Sequence, residues 1–99
     1  MNNISIISHR GLWQARNEMN TLKSFKDSFD KGFGIETDIR DKDGEIYISH
    51  DPIIGDENCA RFSELIDLYK LYGRNKIIAL NVKSDGIIKK AHDLLKINK

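Results

Sequence analysis

Apolar, β-prone runs alternate with helix-period segments along this chain, and that alternation predicts an α/β fold built on a largely parallel sheet. Two observations carry the prediction. The β-prone runs at 4–8, 33–40 and 76–84 are each followed, directly or after a hairpin, by a segment with apolar residues at helical spacing. A turn signal at Asp43-Gly44 separates two β-prone runs and adds a hairpin. The predicted order is strand, helix, strand, hairpin strand, helix, strand, helix, within one domain of 99 residues.

Each element has its own signal. "ISIIS", residues 4–8, reads as a buried strand ending at His9, with Gly11 supplying the turn. In "NTLKSFKDSFDKG", Asn20 or Thr21 serves as cap, Leu22, Phe25 and Phe29 recur at i, i+3 and i+7, and Gly32 suits the stop. In "FGIETDIR", Ile35, Thr37 and Ile39 alternate with Glu36, Asp38 and Arg40. A strand there places the two carboxylates on one face. "DKDG" is a hairpin-type turn, "EIYISH" the returning strand, and residues 53–61 a loop. "FSELIDLYKLYG" reads as a helix capped by Ser63, with Leu65, Leu68 and Tyr72 in register and Gly73 as the stop. "KIIALNVKS" is the last strand, and "DGIIKKAHDLLKINK" a closing helix with Ile87, Ile88, Ala91, Leu94 and Leu95 on one side.

Composition excludes little but excludes it clearly. Sixteen basic and fifteen acidic residues leave a net charge of +1, so no global field favours nucleic acid or an anionic membrane. The basic residues between Arg74 and Lys90 are ordinary for exposed helix faces. Cys59 is the only cysteine, which rules out a disulfide framework and a cysteine-rich metal site. No apolar run approaches the ~20 residues of a membrane span, and the N-terminus lacks the pattern of a signal peptide. A cytoplasmic chain is expected.

In a parallel α/β sheet, chemistry gathers at the C-terminal ends of strands. That rule selects His9 and Arg10, Glu36 and Asp38, His50 and Asp51, and Asn81 to Lys83. Each has a bland alternative as a solvated or packing residue; their coincidence on one rim is what favours function. Hard carboxylate oxygens at Glu36 and Asp38 suit Mg²⁺ or Ca²⁺. Two histidines can take a proton from an attacking hydroxyl and protonate a leaving oxygen. Arg10 offers a planar fork for phosphate oxygens, and Lys83 a further positive charge. The residues thus point to a phosphodiesterase.

"SHRG", "NTLKSF", "GIETDIRDKDGEIYISHDP" and "ALNVK", in this order and spacing, resemble the N-terminal part of the glycerophosphodiester phosphodiesterase family, among the phosphatidylinositol-phospholipase-C-like phosphodiesterases. The resemblance covers most of residues 1–99. It implies His9 and His50 as the acid–base pair, Glu36 and Asp38 as metal ligands, and Arg10 as a phosphate-binding residue. Asn81 occupies the place of a further metal-binding glutamate in the family; its amide oxygen can still ligate a hard cation, with one negative charge fewer. Glu18 is displaced by one position from the family's Pro-Glu-Asn-Thr.

The family fold is a (β/α)₈ TIM barrel of about 250 residues. The resemblance therefore implies a partial barrel here, about three strand–helix units plus a β-hairpin insertion that swings His50 toward His9. A partial barrel leaves open strand edges, so either a missing C-terminal half or a homo-oligomer is expected. The implied activity is metal-dependent hydrolysis of a small-molecule glycerophosphodiester or related sugar-phosphate diester. The alternatives are a catalytically inactive phosphate-binding module and a structural remnant.

Outside the rim, the readings are structural. His92 is a surface residue, Trp13 and Tyr47 are packing groups near the rim, Asp51 orients His50, and helix capping suffices for Asn20.

Overall fold

The computed structural model describes residues 5–53, 59–83 and 86–97. Strand β1 (Ile7–His9) leads through a 3₁₀ turn at Arg16–Glu18 to helix α1 (Leu22–Asp30). Strand β2 (Gly34–Lys42) turns into β3 (Glu45–Ile48), and helix α2 (Phe62–Leu68) runs on into a π-helical turn at Tyr69–Gly73. Strand β4 (Ile78–Val82) and helix α3 (Ile88–Ile97) follow.

Strand β2 is the centre of a mixed sheet. It pairs in parallel with β1 and with β4, and antiparallel with β3. The backbone bonds fix which edge each neighbour takes. Gly34 N–H donates to Ile6 O, Arg10 N–H to Glu36 O, and Ser49 N–H to Asp38 O. Those even positions of β2 all face one way, so β1 and β3 lie end to end along one edge. Odd positions face β4, where Ile35 N–H donates to Ile77 O and Lys83 N–H to Ile39 O.

The α/β composition agrees with the sequence reading; the partial (β/α)₈ barrel does not. The described residues form a four-stranded mixed sheet with three helices and no succession of strand–helix repeats. The physical cause lies at the hairpin. Asp43 and Gly44 hold φ of 53° and 85°, the paired positive values of the two-residue turn whose twist suits an antiparallel ribbon. Strand β2 therefore passes straight into an antiparallel neighbour, which takes the edge beyond β1.

The odd face of β2 is the core face. Ile35 and Ile39 pack with Phe25 and Phe29 of α1, Ile46 and Ile48 of β3, Phe62, Leu65 and Ile66 of α2, and Ile87 and Ala91 at α3. Each fully buried apolar side chain of this size contributes about 1.5–3 kcal/mol. Glu36, Asp38 and Arg40 project from the opposite face and take no part in that cluster.

Several local expectations change. Thr21 caps α1: its Oγ1 accepts from Ser24 N at 3.1 Å, and Ser24 Oγ accepts from Thr21 N at 3.2 Å. Helix α2 begins after Arg61 rather than at a Ser63 cap, because the Glu64 carboxylate accepts the Arg61 N–H at 3.0 Å. The π turn then shifts the helical register. Tyr72 is left 45% exposed, while Tyr69 meets Phe29 edge-on with ring centroids 6.2 Å apart. Gly73 sits so close to the Phe29 ring that an added Cβ would fall within 2.9 Å of it. Strand β1 is an exposed edge rather than a buried strand, and only Ser8 turns inward, to hydrogen-bond Ser28 at 2.7 Å. Ile4 and the side chains of Ile88 and Leu95 lie outside the described residues.

Candidate functional site

Register alone brings four of the predicted residues onto one face. His9 lies opposite Glu36, Asn81 lies opposite Asp38, and Glu36 and Asp38 alternate along β2. Directly opposed residues share a face of the sheet. This face is the one turned away from the helical core. His9 Nε2 stands 3.9 Å from Glu36 Oε1, close enough for attraction and beyond a hydrogen bond.

Asp38 is the buried charge of the site, 1% exposed. Its Oδ2 accepts from Arg10 Nε at 3.0 Å and from Asn20 Nδ2 at 3.1 Å. Lys83 Nζ lies 3.9 Å from Oδ1. Drying a carboxylate costs several kcal/mol unless opposite charge and hydrogen bonds compensate it, and here two cations and an amide do so. The terminal amino groups of Arg10 have no partner among the described residues. That leaves part of a planar fork able to receive an anion.

Two oxygens lack a hydrogen bond. Glu36 Oε1 and Asp38 Oδ1 are both shielded from solvent, and neither has a hydrogen-bond partner among the described residues. Leaving a buried acceptor unsatisfied costs about 1–3 kcal/mol, so a proton or a cation bound between the two would be stabilising. Hard oxygens of this kind fit Mg²⁺ or Ca²⁺. No group of three or more His, Cys, Asp or Glu side chains gathers at metal-binding range among the described residues. The donor set is two carboxylates, with the exposed Asn81 amide at the neighbouring register position.

The loop after β1 is tightly built. Arg10, Gly11 and Asn20 adopt φ of 59°, 88° and 58°. Arg10 N–H donates to Glu36 O at 2.7 Å and Asn20 N–H to Arg10 O at 2.8 Å. Non-glycine residues in this region cost about 1–3 kcal/mol and persist where surroundings over-determine them. The outcome is that Asn20 reaches β2 twice: besides its bond to Asp38, its Oδ1 accepts from Thr37 Oγ1 at 2.7 Å.

His50 occupies the far end. Its Nδ1 is 2.9 Å from Asp51 Oδ1, the orienting contact expected of Asp51. Its carbonyl accepts from Arg40 Nε at 3.0 Å and Nη2 at 2.8 Å, and Arg40 Nη1 reaches Lys83 O at 3.4 Å. Arg10, Asn20, Ser49, His50 and Asp51 line a cleft between the loops after β1 and β3. His9, Glu36, Asn81 and Lys83 do not line this cleft.

Sequence reasoning missed two contributors. Asn20, read as a cap, is a site residue, and its tolerance of positive φ was the available signal. Arg40, read only as part of an alternation, holds two strand ends through tertiary bonds that leave no local pattern. Glu18 closes its own loop: Oε1 accepts from Gln14 N at 2.8 Å and Ala15 N at 2.9 Å. Those amides hold its carboxyl below the usual 4.5. Trp13 Nε1 donates to His9 O at 2.8 Å, and His92 is exposed.

Among the described residues no helix is long and apolar enough to cross a membrane. Compared with known protein families, curated proteins and solved structures, the chain matches none.

Proposed function

We propose that the site is a divalent-metal-dependent phosphodiesterase centre of glycerophosphodiester phosphodiesterase type, acting on a glycerophosphodiester or a related sugar-phosphate diester. The observation that carries this reading is the pair of shielded oxygens without a hydrogen bond among the described residues, Glu36 Oε1 and Asp38 Oδ1, set among His9, Arg10 and Lys83. Glu36, Asp38 and the Asn81 amide would hold Mg²⁺ or Ca²⁺. Such an ion, when bound, supplies Lewis-acid polarisation of a phosphoryl oxygen.

The chain's own residues do the rest. Arg10, anchored to Asp38 through Nε, offers its terminal N–H groups to the phosphate oxygens. One imidazole of His9 and His50 takes the proton of an attacking water as its oxygen bonds to phosphorus. The other gives a proton to the departing alcohol oxygen as the old P–O bond breaks. Asp51 holds the His50 ring by Nδ1, leaving Nε2 for proton transfer. The same two groups serve equally if a hydroxyl of the substrate attacks and a cyclic phosphate leaves, and phosphorus NMR of the products separates the two routes.

A second reading is favoured by one observation: the cleft that His50 lines with Arg10 is not lined by His9. On that reading the site binds a phosphate-bearing ligand without turnover. Calorimetric titration with Mg²⁺ and Ca²⁺ tests both, with Glu36→Ala/Asp38→Ala as control. Saturable binding lost in the control, with diester cleavage lost in His9→Ala, is the expected result. Binding with no cleavage supports the second reading, and no binding by the folded chain overturns the first.

A further inference from the structure

We infer that Arg40 is the positioning residue of this site, fixing the backbone at His50 against the end of β4 at Lys83. The inference rests on the phosphodiesterase reading for its consequence in turnover, though not for its geometry. Arg40 lies on β2 two residues beyond Asp38, on the same face as both carboxylates. The strand ends on either side of it each make a backbone bond to β2. Ser49 N–H donates to Asp38 O at 3.0 Å, and Lys83 N–H to Ile39 O at 2.9 Å. His50 follows directly on Ser49, and Lys83 is itself the residue bonded to Ile39.

Three donors of one guanidinium span these two ends. Nε and Nη2 both reach His50 O, and Nη1 reaches Lys83 O. A rigid, planar set of donors can fix two carbonyls relative to each other. A lysine, with a point charge on a flexible stem, cannot do the same. The two residues so held bring a ring nitrogen and an ammonium, and that ammonium stands 3.9 Å from Asp38 Oδ1. Holding their backbones sets the distance between the His50 acid–base group and the positive charge beside the carboxylate pair. A mispositioning on the scale of an ångström costs about a hundredfold in rate.

Arg40→Lys is the test, read by nitrogen-15 NMR of the histidine rings and by steady-state kinetics. In the variant, the His50 ring resonances and the Lys83 amide shift while those of His9 stay, and Mg²⁺ affinity is kept. With a diester substrate, kcat falls on the order of ten- to a hundredfold with KM nearly unchanged. The limb of the pH–rate profile lost in His50→Ala moves as well. A role confined to stability would lower the melting temperature and leave ring shifts, profile and kcat in place; that result overturns the proposal. If Arg40→Lys fails to fold, the wild-type chain decides by the Arg40 Nε–H signal. Slow solvent exchange relative to the exposed Arg16 supports the clamp, and equal exchange overturns it. Absence of turnover in the wild type would sink the phosphodiesterase reading, while the ring shifts would still decide whether Arg40 holds His50.

Discussion

Arg10 donates through Nε to Asp38 Oδ2 at 3.0 Å, so the side chain whose terminal amino groups are left to meet an anion is also the one that hydrogen-bonds the buried carboxylate. The two duties cannot be separated by truncation. Arg10→Met should destabilise the fold by about 3 kcal/mol, the lower end of the range for orphaning a buried charge, because Lys83 and Asn20 still face Asp38. Urea denaturation measures this. The companion change Arg10→Met/Asp38→Leu should recover much of the loss, and failure to do so would mean the pair is not the source of the cost.

Asn20 and Thr37 offer a cleaner pair. Thr37 is fully buried and its hydroxyl donates to Asn20 Oδ1. Asn20→Ala should cost about 1–3 kcal/mol by leaving that hydroxyl and one Asp38 contact unpaired. In a double-mutant cycle with Thr37→Val, the coupling should exceed about 0.5 kcal/mol. Strict additivity would count against the contact.

Gly11 is held by its surroundings as well as by its φ of 88°. An added Cβ would fall within 2.9 Å of the Ser24 backbone carbon. Gly11→Ala should therefore destabilise by about 2 kcal/mol or more. It should also disturb the Arg10 side chain, visible as weakened binding of inorganic phosphate.

Acid should loosen the loop between β1 and α1 before it touches the core. The amides of Ala15 and Gln14 hold the Glu18 carboxyl below its usual 4.5. A depressed folded-state value means the stabilisation is fully present above the ordinary carboxylate range and is lost as pH falls through the lowered value. Protection of the Gln14 and Ala15 amides against hydrogen exchange, taken relative to the intrinsic rate at each pH, should fall over that window in the wild type. In Glu18→Gln that protection should be low throughout and nearly flat with pH.

Asp51→Asn tests the orientation of His50. The contact is exposed, with Asp51 86% and His50 45% accessible. The loss in diester turnover should accordingly be about tenfold, well short of the ~10²–10⁴ expected for His50→Ala. Equal losses in the two variants would point to a structural part for Asp51.

Much of this arrangement is legible in the sequence because it follows from period and turn chemistry. The alternation Glu36-Thr37-Asp38 fixes a shared face once a strand forms, and Asp43-Gly44 fixes the hairpin. The position of Arg10 just beyond β1 follows from the strand end at His9. What escapes is tertiary. Nothing local tells β3 to share an edge with β1, and that sharing is what separates the mixed sheet from the barrel implied by resemblance. The π turn that exchanges Tyr72 for Tyr69 depends on the fit of Gly73 against Phe29. The apolar run before His9 reads as buried because its composition is; its partners leave Ile6 and Ile7 at 58% and 40% exposure. Asn20 and Arg40 act on residues 17 or 18 and 10 or 43 positions away, a range over which no spacing rule operates.

The central place of β2 has a consequence for the order of assembly. The β2–β3 hairpin closes through two residues and can form within about 1–10 μs. The pairing of Ile35 with Ile78 must wait for a far longer loop to close. We expect the early chain to present Glu36 and Asp38 on a half-built sheet, still wet. Arrival of β4 brings Lys83 and removes the water in one event. A stopped-flow mixing experiment on Lys83→Met should then show a slowed final phase, since the last strand would have to dry a carboxylate without bringing its cation.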